Sequence, residues 1–173
     1  MIMAIDEIYT RASVRAYEKR PVEEEKVKAL LKAAMSAPSA GNKQPWAFVV
    51  VTEAERLKAL SEVLPYGGMI KEAPLAIVVC GDMTRAFAGD EQDFWVQDAS
   101  AATENILLAA RSLGLGAVWI GVYPMKDRAA GVARILELPE QAVPLNVLPV
   151  GYPQREPHVI DKWDEKKIHR EKW

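Results

Sequence analysis

The sequence predicts an α+β fold in which helices outnumber strands. Three observations carry this. Apolar residues recur at helical spacing in several stretches, short β-branched runs bounded by turn residues separate them, and half of the 173 residues are apolar, enough to bury one sizeable core. Nothing in the chain suggests a second core, so a single domain spanning residues 1–173 is expected.

In chain order, Val27, Leu30, Leu31 and Ala34 fall at i, i+3, i+4 and i+7, one apolar stripe on a helix beginning near Pro21. Ala47 to Val51 is β-branched and brief and reads as a buried strand. Thr52 with Glu55 has the spacing of a capping box, which would open the next helix. A strand over Ala76 to Cys80 should end at the turn signal Gly81-Asp82. From about Asp93 to Leu113 runs the longest helical pattern, and between Ala99 and Ala110 alanines and leucines occupy nearly every face, the mark of a central, buried helix; Gly114 supplies its left-handed stop. Ala117 to Gly121 reads as a strand, Met125 to Leu138 as a helix despite Gly131, and Asn146 to Val150 as the last strand. The tail from Gly151 mixes charge with Trp163, Ile168 and Trp173, suiting an arm that packs on another surface.

Composition excludes several functions. Lys plus Arg number 22 against 24 Asp plus Glu, a net charge of −2 with scattered basic residues, so no footprint for nucleic acid or an anionic membrane exists. The single cysteine, Cys80, cannot form an internal disulfide, and His158 and His169 lack metal-ligand spacing. Met1 to Thr10 carries Asp6 and Glu7 and lacks the apolar stretch of a signal peptide, while Ala73 to Cys80 is far shorter than the ~20 residues of a membrane-crossing helix. A cytoplasmic protein is expected. Gly114-Leu-Gly116 follows a helix and lacks a third glycine, so it is no dinucleotide fingerprint. P-loop, nucleophile-elbow and paired-cysteine motifs are absent, which leaves any chemistry to a bound cofactor.

Two stretches supply candidates for binding one. Arg11-Ala-Ser-Val-Arg15 places two permanent cations and a hydroxyl within five residues, chemistry suited to a phosphate and a second negative charge. Pro38-Ser-Ala-Gly-Asn-Lys-Gln-Pro-Trp46 is a polar turn in which Gly41 and the prolines would let backbone N–H groups face a ligand, with Asn42 and Gln44 each offering donor and acceptor. The plainer alternatives are a solvated helix face for Arg11 and Arg15, simple turn ordering for Asn42 and Gln44, core or interface packing for Trp46 and Trp119, and an inert buried thiol for Cys80.

Taken together, Arg-x-Ser-x-Arg, Pro-Ser-Ala-x-Asn-x-Gln-Pro-Trp, the strand from Ala73, the alanine-rich helix, Leu113-Gly-Leu-Gly and Gly151-Tyr-Pro153, in this order, resemble the FMN-dependent nitroreductase family. The resemblance implies a central mixed or antiparallel sheet flanked by helices in an interlocked homodimer with FMN sites at the subunit interface. It further implies that Arg11, Ala12 and Ser13 meet the phosphate and ribityl chain, and that Arg15 lies toward the flavin pyrimidine. Pro38, Ser39, Ala40 and Asn42 would come from the partner, with Gln44 shaping that turn, while backbone around Gly121 and Val122 would face the ring. Lys162 is the candidate basic residue completing the phosphate site.

The implied activity moves hydride from NADH or NADPH through FMN to a small acceptor such as a nitroaromatic, quinone or flavin, in a ping-pong cycle that needs no catalytic side chain. Specialised flavin chemistry on the same fold (dehalogenation or flavin fragmentation) and a non-catalytic flavin-binding protein are the alternatives. Dehalogenating relatives close their sites with a lid bearing Glu, Tyr and Lys, whereas Gly81 to Asp93 has neither Tyr nor Lys.

Overall fold

The computed structural model describes residues 3–173. Met1 and Ile2, which begin the segment read as lacking a leader, lie outside the described residues. The elements are α1 (Met3–Thr10), α2 (Glu24–Met35), β1 (Trp46–Val51), α3 (Ala54–Val63), β2 (Leu75–Asp82), α4 (Phe94–Ser112), β3 (Gly116–Ala117), β4 (Ile120–Gly121), α5 (Lys126–Leu136) and β5 (Ala142–Gly151). All strand pairs are antiparallel, in the order β1-β2-β5-β3, with β4 also on β5.

Both faces of this sheet are covered. Along β2, Leu75, Ile77 and Val79 pack with Leu30 and Ala34 of α2 and Ala99, Ala102 and Ile106 of α4, while the alternate residues Ala76, Val78 and Cys80 pack with Leu57 and Leu60 of α3 and Val132 of α5. That double burial is why β2 reads as an unbroken apolar run with no polar alternation. The alanines of α4 bring it close against α2, and each fully buried leucine or isoleucine contributes about 1.5–3 kcal/mol relative to exposure. Among the described residues no helix is long and apolar enough to cross a membrane, and no group of three or more His, Cys, Asp or Glu could hold a metal ion.

Several local expectations change. Helix α3 starts at Ala54 with Glu53 as its N-cap and no side-chain cap bond. The Thr52–Glu55 capping box does not form, and the Glu53 carboxylate instead accepts from Arg56 Nε at 2.8 Å. Strand β2 runs through Gly81-Asp82 because Gly81 leaves room for Trp95, whose Cε3 would lie 2.3 Å from an added Cβ. The turn follows instead, where Asp82 Oδ1 accepts from the Thr84 amide at 3.0 Å and hydroxyl at 2.6 Å.

The final strand is ten residues long despite Pro144 and Pro149. Pro144 sits at a register shift opposite Cys80, the kind of position that tolerates proline in a sheet. The strand expected over Ala117 to Gly121 is divided into β3 and β4, which keep one common register on β5 with Ala117 opposite Val150 and Ile120 opposite Val147. The gap falls at Val118 and Trp119, across from Leu148 and Pro149, where the missing proline N–H removes a ladder bond. Helix α5 stops at Leu136 with Glu137 left-handed (φ 53°).

Candidate functional site

Residues 11–15 are not the last turn of a helix. Helix α1 ends at Thr10, and the chain then runs along the sheet edge, where Ser13 forms a parallel bridge with Ala117 and the Val14 amide donates to the Ala117 carbonyl at 3.0 Å. Val14 and Tyr17 are buried, while Ser13 and Arg15 are exposed. In a bridged segment residues two apart share a side, so Ser13 and Arg15 turn outward together and Val14 inward, while Arg11, whose amide still donates to the Glu7 carbonyl at 2.8 Å, stays at the end of α1.

Two features hold that segment against the sheet. Gly116 lets it approach, since a Cβ there would stand 2.5 Å from Val14 Cγ2. The buried Tyr17 hydroxyl donates to the Val14 carbonyl at 2.6 Å, with the Pro149 carbonyl 3.1 Å away. Burial pushes the Tyr17 phenol up, against the opposing pull of the Arg15 charge.

Three clefts along this segment share Arg15. One of about 220 Å³ is lined by Arg11, Ala12, Ser13, Arg15, His158 and Lys162. A second, about 390 Å³, shares Ser13, Arg15 and His158 and adds Arg155. A third, about 140 Å³, joins Arg15 to Tyr66, Trp119, Gly121 and Arg128. Arg11 is partly buried and its Nε lies 3.6 Å from Glu104 Oε1. Among the described residues Arg15 and Lys162 form no ion pair. The first cleft therefore carries an excess of positive charge, and a phosphate dianion is the kind of group that balances it.

The turn at residues 38–44 lies elsewhere on the chain and lines none of these clefts. It is tied to α4 by the Ala40 amide, which donates to buried Asp98 Oδ1 at 2.8 Å. Gly41, Asn42 and Gln44 are all left-handed (φ 54°, 54° and 51°). The expectation that its amides face a ligand is narrowed to those of Ser39 and Gly41, which donate to nothing among the described residues. The amides of Ala40, Asn42, Lys43 and Gln44 donate within the chain, to Asp98, to Ser39 O, to Ala40 O and to Ser39 Oγ respectively. Gln44 Nε2 also donates to Asn42 Oδ1 at 3.0 Å. The turn thus presents exposed side chains, with Asn42 Nδ2 and Gln44 Oε1 left over.

Gly121 reaches the third cleft, and its carbonyl accepts from Arg128 Nη1 at 3.2 Å. Val122 is fully buried and its amide donates to the Leu145 carbonyl at 3.0 Å, so it lines none of the three clefts. His158, Arg155, Tyr66 and Arg128 were not among the sequence-predicted site residues. They are far from either motif along the chain, and no spacing signal links them. Trp46 packs against the core as expected, whereas Trp119 is 37% exposed at the third cleft.

A family model described as "Nitroreductase family" matches residues 8–66 and 60–152. The chain belongs to the nitroreductase family. A relative from Methanothermobacter thermautotrophicus, named "Putative NADH dehydrogenase/NAD(P)H nitroreductase", is 49% identical over 98% of this chain and 87% of its own length. A crystal structure of a protein of the same name from Parabacteroides distasonis superposes with a TM-score of 0.95 at 44% identity, covering 100% of both chains. An FMN-dependent nitroreductase from Clostridium difficile gives 0.89 at 32% identity, covering 98% of this chain and 99% of the other. The antiparallel sheet flanked by helices is the fold of this nitroreductase group.

Proposed function

We propose that this chain is a single-domain, homodimeric FMN oxidoreductase of the cytoplasm that takes hydride from NADH or NADPH and passes it in a ping-pong cycle to a small acceptor such as a nitroaromatic, quinone or flavin. The observation that carries the reading is the meeting of Arg11, Ser13 and Lys162 around one cleft, with Arg15 at its junction with the cleft of Gly121. These residues fit FMN. Fixed cations and a hydroxyl suit its phosphate, and the permanently charged Arg15, lacking an ion pair among the described residues, suits the electron-rich pyrimidine edge.

When bound, FMN supplies the hydride-accepting and hydride-donating centre, so the chain needs no acid or base of its own. The protein's part is to hold and orient. Arg11, Ala12, Ser13 and Lys162 grip the phosphate end, Arg15 sets the charge near the ring, and Gly121 offers a surface without a side chain. The separation of Pro38, Ser39, Ala40, Asn42 and Gln44 from these clefts within one chain supports a second copy supplying them. The exposed tail aromatics, Trp163 at 74% and Trp173 at 100%, support an arm that wraps the partner. Names such as "FMN reductase [NAD(P)H]" for a Bacillus subtilis relative, 33% identical over 82% of this chain, support the donor and cofactor.

The test is the visible spectrum of purified protein, followed by heat release and chromatography of the pigment and stopped-flow mixing with NADH and NADPH. The expected outcome is a yellow protein with about one FMN per chain that bleaches on reduction. A colourless protein that takes up no added FMN, or one holding FAD, refutes the proposal.

A further inference from the structure

The second cleft has no part in holding FMN as proposed, yet it is the larger of the two that Ser13 lines, at about 390 Å³ against about 220 Å³. Its far wall is the tail at Arg155, Glu156, Pro157 and His158. The backbone is fixed immediately before that wall. Tyr17 bridges Pro153, the Glu18 amide donates to the Tyr152 carbonyl at 2.8 Å, and the Gln154 amide donates to the Ala16 carbonyl at 3.1 Å. Arg155 is the next residue, so its starting point is held by the segment that carries Arg15. Arg155 is exposed and forms no ion pair among the described residues. The one acid lining the cleft, Glu156, has its Oε1 3.3 Å from Nη1 of Arg111, which does not line it. With Arg15 given to the flavin edge, Arg155 remains as a cation of this cleft without a counter-charge.

Resting on the flavin reading above, we infer that Arg155 is a specificity-determining residue that binds the 2′-phosphate of the electron donor, so that NADPH reduces this protein in preference to NADH. That phosphate is the whole chemical difference between the two donors. A guanidinium makes paired hydrogen bonds to a phosphate, and the imidazole of His158, on the same wall, adds a further donor. Arg15 lines both this cleft and the cleft of Gly121. A donor presenting its nicotinamide at the ring therefore has a cationic cleft beside it for its adenosine end, where Ala16 and Pro157 offer apolar contact. NADH carries a hydroxyl in place of the phosphate and gains no contact between opposite charges.

The experiment is anaerobic stopped-flow reduction of FMN-loaded protein by NADPH and by NADH, with a fluorescence titration of FMN alongside. Wild type is expected to half-saturate at roughly tenfold lower NADPH than NADH, the scale of one charge-assisted contact partly screened by solvent. Arg155→Gln should raise the NADPH value to that of NADH. The limiting rate, the NADH value and the FMN affinity should stay unchanged, because a contact remote from the reacting atoms is equal in ground and transition states. Arg155→Lys, which keeps the charge and loses the fork, should fall between. Equal values in wild type overturn the inference, as does an NADPH preference that survives in Arg155→Gln. A loss of FMN affinity in Arg155→Gln also overturns it, placing the residue at the cofactor's own phosphate. Should Arg155→Gln fail to fold, wild type and Arg155→Lys decide the matter, an unchanged ratio in Arg155→Lys being contrary. Failure of the flavin reading is distinct, because wild type would then hold no FMN to be reduced.

Discussion

Gly116→Ala tests how the Arg11–Arg15 segment is held. The added methyl would lie 2.5, 2.6 and 2.7 Å from Val14 Cγ2, Cβ and Cγ1, where ordinary contact begins at 3.4 Å. The segment must therefore retreat by about 0.9 Å at the tightest point (3.4 minus 2.5). Overpacking of this size costs about 1–3 kcal/mol. At ~2–4 °C per kcal/mol for a chain of this length, Tm should fall by roughly 2–12 °C. The retreat also loosens Ser13 and Arg15 beside the clefts, and losing one charge-assisted hydrogen bond at ~1.5–3 kcal/mol corresponds to roughly ten- to 150-fold weaker FMN binding. Thermal melts of flavin-free protein and fluorescence titration of FMN read the two effects separately. Gly68→Ala is the control, because nothing lies within 4 Å of its added methyl. Val14→Ala in the Gly116→Ala background should restore only part of the loss, since the Val14 Cβ at 2.6 Å remains. A Gly116→Ala protein that melts with wild type and binds FMN equally would refute the reasoning.

Arg11→Ala should chiefly weaken FMN binding, whereas Arg15→Gln should keep much of the flavin and lower its two-electron potential. Solvent-screened attraction of ~1–2 kcal/mol gives roughly 20–45 mV, and a dye-equilibration value unchanged or raised would contradict the role given to Arg15. The Glu23 carboxyl is held down to about 2, first by the hydrogen bond from Tyr152, then by its own backbone amide, with smaller help from Arg20 and Lys26. Its folded value being depressed, this arrangement stabilises the protein above the ordinary carboxylate range and the contribution is lost as pH falls toward 2. Tyr152→Phe should therefore move the Glu23 titration upward in carbon-detected NMR, and an unmoved titration would count against the hydrogen bond's dominance. Burial pushes the Cys80 thiol up to about 12, so a disulfide reagent at pH 8 should find no reactive thiol until denaturant is added; rapid native labelling would contradict its burial.

Helix α4 was legible because a long helical pattern, with alanine and leucine on nearly every face between Ala99 and Ala110 and Gly114 behind it, has few other uses in a folded chain. Strands β1 and β2 were legible in kind from β-branched composition, but not in extent. Gly81 and Pro144 carry local signals for turns and breaks, and only the neighbours that use them, Trp95 over the glycine and the register shift at the proline, keep the strands going. The Thr52–Glu55 spacing suggested a cap, and Arg56 took the adjacent glutamate instead. A local pattern states what a residue can do, and tertiary competition decides which partner it meets.

The candidate site divides along the same line. Residue types were written in the sequence: permanent cations and a hydroxyl at 11, 13 and 15, and a polar turn at 38–44. The spacing of Ser13 and Arg15 had its meaning only once Ser13 bridged Ala117, because an extended segment turns residues two apart outward together while a helix would scatter them. Which other charges join them depends on chain topology. The tail after Gly151 carries Arg155, His158 and Lys162 to the Arg11–Arg15 segment, and α5 brings Arg128 to the third cleft that Arg15 also lines. Those contacts join residues more than a hundred apart, and no pattern of local spacing can encode them. The sequence by itself determined the α+β class, the central helix and the two polar motifs, because each rests on neighbours in the chain. Tertiary structure alone decided that one motif meets the charge-mixed tail while the other stands apart, because packing against the sheet edge and against α4 separates them.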